Sequence, residues 1–255
     1  MNMDFARRAL RLLALPLALA LAPLAATAGI EDMTAEERAA FRAEVRAYLM
    51  ENPEVLMEAF TALRERQESA EAARRGDVIA RNAGALYDDP RAWVGGNPEG
   101  DITLVEFMDY RCSYCRRAFP EVSDLIESDG DIRFVVKEFP ILGPESQAAS
   151  RFAIATLQVA GEDAYEQVHT ALMTHRGRMV EAAFRRIAGA AGLDYAAIAA
   201  RMEAPQVQAV IDDNMALARK LGITGTPTFI LEDRMIPGYL PLQQMRVAVS
   251  EERAD

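Results

Sequence analysis

The stretch from Leu104 to Pro120 constrains this chain more than any other. An apolar and β-branched run stops at Asp109 and Tyr110, two cysteines three residues apart follow, and helix-forming residues continue after them. This pattern predicts strand, turn and helix, with Cys112 at the helix N-terminus and Cys115 one turn inside it. They are the only cysteines in the chain, so any sulfur chemistry is that of one dithiol/disulfide couple. The first N–H groups of a helix lack intrahelical partners and carry partial positive charge, which lowers the pKa of a thiol placed there. Cys112 is therefore expected to be the exposed, attacking sulfur, and Cys115 to point inward and resolve the mixed disulfide. A structural zinc site needs four ligands. No second cysteine pair exists, and His169 and His175 lie far down the chain, so no metal is expected. A purely structural disulfide closing so tight a loop would constrain the unfolded chain very little.

The N-terminus points to export. Residues 1–28 read as a signal peptide: Arg7, Arg8 and Arg11, an apolar stretch from Leu12 to Leu24, then Ala26-Thr27-Ala28 as a cleavage site. An oxidising destination suits a catalytic dithiol. The formal net charge of −11 argues against nucleic acid as a partner.

Residues 29–85 read as a helical extension. Thr34 and Glu37 can form a capping box; Phe41, Val45, Tyr48 and Leu49 recur at helical spacing. Asn52-Pro53 is expected to start a second helix carrying Leu56, Phe60 and Leu63 as a narrow apolar stripe. The stretch from Arg64 to Arg81 has little to bury and cannot form its own core. The stripe has two readings: it packs back on the main domain, or residues 31–66 of several chains pack together in a homo-oligomer.

Residues 86–255 read as the main, α/β domain. Ile102 to Met108 and Ile132 to Phe139 are expected strands flanking the Cys112 helix, a βαβ unit with a parallel pair. From about 143 to 221 apolar residues recur at three- and four-residue intervals, too long a stretch for one crossover helix and hence an inserted helical subdomain. Gly225 to Leu231 and Arg234 to Ile236 return to strand, and a helix closes the domain.

A Cys-x-x-Cys opening the first helix after a strand, a helical insertion, and Thr226-Pro227 before a β-run together resemble the thioredoxin fold. The order and length of the insertion look like the DsbA family of exported thiol-disulfide oxidoreductases. The N-terminal residues around Tyr48 to Leu56 look like its suppressor-of-copper-sensitivity C branch. The resemblance implies a thioredoxin fold with an inserted helical subdomain and an N-terminal helical extension. It implies that Pro227 is cis and faces the dithiol, leaving the Thr226 backbone free to pair with an extended substrate, which Tyr114 would also contact. It also implies that Glu106, six residues before Cys112, is a buried acid able to take a proton from Cys115. The alternative is a partly exposed charge on a strand, and Lys137 is expected either to pair with Glu106 or to be a solvated edge lysine.

The expected activity is that of a periplasmic thiol-disulfide oxidoreductase, an enzyme needing no organic cofactor. Its partners would be exported proteins with thiols or disulfides and a redox partner that resets the pair. The intervening Ser113-Tyr114 lacks the histidine of strongly oxidising members, which implies an isomerase- or reductase-like protein or a moderate oxidase. Two other classes stay open: a copper(I)-binding protein, since thiolates suit that ion, and an oligomeric chaperone in which the dithiol is secondary.

Overall fold

The computed structural model describes residues 33–254. The proposed signal peptide lies outside the described residues. Among these residues no helix is long and apolar enough to cross a membrane. The chain divides into two compact units, one ending at Ala62 and the other beginning at Leu63.

The described part of the first unit is α1 (Ala35–Glu51) and the start of α2 (Glu54–Arg81). The capping box forms: the Glu37 N–H donates to Thr34 Oγ1 and the Thr34 N–H to Glu37 Oε2. Asn52 departs from expectation. It closes α1 instead of capping α2, because its side-chain amide and its own N–H both donate to the Tyr48 carbonyl. No residue of α1 is buried, and Phe41, Val45, Tyr48, Met57 and Phe60 are exposed.

The second unit continues with α3 (Ala83–Tyr87), β1 (Trp93–Gly96), β2 (Ile102–Met108), α4 (Ser113–Asp129) and β3 (Ile132–Glu138). The inserted helices follow: α5 (Pro144–Ala160), α6 (Glu162–Thr174), α7 (Glu181–Ala190), α8 (Tyr195–Met202) and α9 (Pro205–Leu221). The unit ends with β4 (Thr228–Leu231), β5 (Arg234–Pro237) and α10 (Leu242–Glu252). The five strands form one sheet in the order β1-β3-β2-β4-β5. β2 and β3 are parallel, as the βαβ reading required; the other pairings are antiparallel.

β2 and β3 are nearly continuous apolar runs because both sheet faces are covered. Leu104, Met108, Phe134, Val136, Phe229 and Leu231 pack with α4, α10 and the inserted helices in the larger core. Val105, Phe107, Val135 and Ile230 pack on the other face with Ile79, Leu86, Leu217 and Leu221. α4 stops where Gly130 takes the left-handed conformation (φ 83°), which a glycine adopts without steric penalty. This is the thioredoxin fold with an inserted helical subdomain that the resemblance implied.

Candidate active site

The site is assembled where β2 ends. The Cys112 N–H donates to the Asp109 carbonyl at 3.0 Å, a tight turn that swings the chain into α4 with Cys112 as its N-cap residue. Cys115 falls in the first helical turn and is fully buried. Antiparallel pairing sets Thr228 of β4 opposite Phe107 of β2, which brings Thr226 and Pro227 to this same end of β2. The Thr226–Pro227 bond is cis, and Cys112 Sγ donates to the Thr226 carbonyl at 3.2 Å. One sequence expectation is corrected here: Cys112 is not exposed but only 7 % accessible, because the 226–227 segment, 114 residues downstream, covers it. The exposed member of the motif is Tyr114, at 58 %.

The two sulfurs have opposite electrostatics. The Cys112 pKa is lowered from 9.0 to about 5, first by a hydrogen bond from the Cys115 thiol, then by the Thr226 side chain and the backbone N–H groups of Cys115 and Tyr114; burial opposes this. The Cys115 pKa is raised well above its ordinary value by burial, by its bond to Cys112 and by the charge of Glu106. Above about pH 5 the pair is thus a thiolate resting against a thiol, and the bond from Cys112 Sγ to the Thr226 carbonyl belongs to the protonated form.

Glu106 lies on the buried face of β2 beneath the dithiol. Burial, then the charges of Cys112 and Glu138, raise its pKa to about 8. Its Oε1 has no hydrogen-bond partner. A cavity of about 110 Å³ reaches it, lined also by Trp93, Phe119, His169, Thr170, Glu127 and Glu166. Glu106 is therefore buried and not partly exposed, but neither reading of Lys137 holds. Lys137 stands opposite Phe107 in the parallel register, so its side chain emerges on the other sheet face from Glu106, which is opposite Val136. There its ammonium is buried, donates to the Ala85 carbonyl at 2.7 Å and lies 3.8 Å from Asp89.

The structure adds another buried acid, Glu138, which the sequence pattern does not single out. Its Oε1 accepts from the hydroxyls of Tyr110 (2.8 Å) and Tyr165 (2.7 Å), and its Oε2 from Ser150 (2.7 Å). Tyr110 Oη also bonds His169 Nδ1 at 3.0 Å, and the imidazole stacks near Trp93 and Tyr165. Burial raises the Glu138 pKa to about 7 and lowers that of His169 to about 4. Among the described residues no three His, Cys, Asp or Glu side chains are grouped to hold a metal ion.

Comparison with known proteins identifies the family. The DSBA-like thioredoxin domain model matches residues 103–250, and the model of the copper resistance protein ScsC N-terminal domain matches residues 37–70. A thioredoxin-like oxidoreductase from Silicibacter pomeroyi DSS-3 is 46 % identical, with a TM-score of 0.64 over 68 % of this chain and 98 % of that one. A linker-deletion mutant of Proteus mirabilis ScsC is 26 % identical (TM-score 0.66; 87 % of this chain, 97 % of that one). A periplasmic thioredoxin-like protein from Salmonella enterica serovar Typhimurium is 28 % identical (TM-score 0.63; 68 % and 96 %). Among curated proteins, the Na(+)/H(+) antiporter NhaA 3 of Salinispora tropica is 27 % identical over 164 residues, 64 % of this chain; the chain spans 25 % of that protein's length. The dithiol-bearing unit places this chain in the DSBA-like thioredoxin domain family, among thiol-disulfide oxidoreductase-like proteins of the DsbA and ScsC type.

Proposed function

We propose that this chain is a periplasmic protein-disulfide oxidoreductase of intermediate potential, suited to isomerisation or moderate oxidation. The observation that carries the reading is the acidic Cys112 thiol, held between the α4 N-terminus and Thr226, with a neutral thiol behind it. The periplasmic location rests on the signal-like N-terminus and on the periplasmic relative from Salmonella.

The Cys112 thiolate attacks one sulfur of a substrate disulfide and expels the other as a thiolate, leaving a mixed disulfide. This removes the Cys112 charge, one of the causes that keep Glu106 protonated. Glu106 then ionises more readily and takes the proton of Cys115, which attacks Cys112 Sγ and releases the reduced substrate. Run backwards, the same steps oxidise a substrate dithiol. Thr226 and Pro227 position the substrate backbone, and Tyr114 offers it an aromatic face.

The Cys112 pKa of about 5 lies between about 7 in thioredoxin and about 3.5 in DsbA. Interpolating between their potentials, about −270 and −120 mV, gives roughly −185 mV. Equilibration with glutathione buffers measures this value. A result close to either extreme refutes the intermediate reading, and absence of both insulin reduction and refolding of a scrambled substrate refutes the exchange activity.

The exposed apolar side chains of α1 and early α2 support a homo-oligomer through residues 31–66, which would gather several dithiols on one client. Solution mass of the mature protein with and without residues 29–66 tests this; one mass per chain in both refutes it.

A further inference from the structure

An arginine cluster surrounds the dithiol. Between Asp109 and Glu121 the chain carries Arg111, Arg116 and Arg117 and no acidic residue; between Glu166 and Glu181 it carries Arg176 and Arg178 and again none. The fold brings these two segments together. Arg111 Nη1 donates to the Gly177 carbonyl at 3.1 Å, and Arg116 Nε donates to the Met173 carbonyl at 2.8 Å. Arg117 stacks over the Tyr239 ring at 4.7 Å, and the neighbouring Gly238 N–H donates to the Pro227 carbonyl at 2.8 Å. The cluster therefore extends from the loop that follows β5, next to Pro227, to the α6 side of Cys112.

This charge is only partly neutralised: Arg117 adds, after the Tyr239 hydroxyl and the Leu242 N–H, to the groups that lower the Glu121 pKa. Among the described residues only Arg111 and Arg178 of the five come within 4 Å of a carboxylate, and both reach the same one, Glu145. The Arg116 pKa is pulled down by burial and then by the positive charges of Arg111 and Arg176, so these guanidiniums repel one another. In a chain of net charge −11, a concentrated cationic surface beside the reactive sulfur is not a by-product of composition.

We propose that this cluster selects client segments whose cysteine is flanked by aspartate or glutamate, the guanidiniums holding the client carboxylates while Cys112 engages its sulfur. The inference rests on the exchange activity proposed above and adds the class of substrate. The chemistry is unchanged: Cys112 sulfur displaces one sulfur of the client disulfide, Cys115 then attacks Cys112 Sγ and displaces the client's other sulfur, and the client gains the two electrons and two protons that the dithiol loses.

The test uses the reduced mature protein and three peptide homodisulfides, identical except that the cysteine is flanked by aspartate, asparagine or lysine. Acid-quenched reactions give the rate of protein oxidation. The aspartate peptide should react roughly tenfold faster than the asparagine peptide at low salt, with the lysine peptide slowest, and the three should converge near 0.5 M salt as charges are screened. Arg176→Glu with Arg178→Glu should invert the aspartate-to-asparagine ratio, while Arg176→Lys with Arg178→Lys should retain most of it. Equal rates for the three peptides at low salt overturn the selection and leave the exchange activity standing. No reaction with any peptide overturns both.

Discussion

Replacing Glu106 by leucine is expected to stabilise the reduced protein, by an amount that grows with pH. The carboxyl is buried, its Oε1 is unpartnered, and its pKa stands at about 8 against an ordinary 4.5. A carboxyl whose pKa rises on folding takes up a proton as the chain folds. Its contribution is therefore most favourable below pH 4.5 and worsens as pH rises towards 8. At pH 7 the unfavourable contribution is about 3 kcal/mol, from 1.36 kcal/mol for each of the 2.5 pH units above 4.5; above pH 8 it levels off near 5 kcal/mol, and at pH 5 it is under about 1 kcal/mol. Leucine has similar volume and no orphaned oxygen, so the variant should gain roughly these amounts. Urea unfolding of both reduced proteins at pH 5, 7 and 9, at fixed salt, reads the difference directly. A leucine variant less stable than the parent at pH 7, or a difference that does not widen with pH, would refute the burial argument. The same variant should accumulate mixed disulfide, since Cys115 loses its proton acceptor.

Four further outcomes are expected. Absorbance at 240 nm should show Cys112 titrating near pH 5, and Thr226→Val should move the midpoint up by about one unit, the worth of one hydrogen bond to a charged group. Because its folded pKa is depressed from 9.0, Cys112 stabilises the reduced fold fully above pH 9 and loses that contribution as pH falls through about 5; Cys112→Ser should erase this dependence in denaturation curves. Tyr110→Phe should lower stability by about 2 kcal/mol in the same assay, because Glu138 Oε1 and His169 Nδ1 each lose a buried partner. Lys137→Met should leave the redox potential within a few millivolts of the parent, roughly the precision of a glutathione equilibration, since Lys137 sits on the sheet face away from Glu106.

The parts of the site carried by one contiguous segment were readable in the sequence. From Leu104 to Asp129 the strand, turn and helix follow from local pattern, whereas the burial of Glu106 came only from the family resemblance, with partial exposure left open. What depended on pairing was not readable. Alternation along β3 says that Lys137 and Glu138 face opposite ways, but only the register with β2 says which of them shares a face with Glu106. The covering of Cys112 comes from residues 226 and 227, and nothing near the cysteines announces it. The Glu138 network draws Tyr110, Ser150 and the α6 pair Tyr165 and His169 from three separate segments. Its only local hint is an acid ending an apolar strand and a Tyr–His pair four residues apart on α6.

Asp109 determines how the mouth of the site can move. One oxygen accepts from the Arg111 N–H at 2.7 Å; the other accepts from the N–H groups of Ile141 and Leu142 at 2.8 and 3.0 Å. A single shielded carboxylate thus rivets the turn ahead of the dithiol to the loop that leaves β3. Those two walls must travel as one piece, so a bulky client cannot gain entry by prising them apart. The segment around residues 175–180 is fastened to the same side through Arg111 and Glu145, which leaves widening to the segment at residues 225–227.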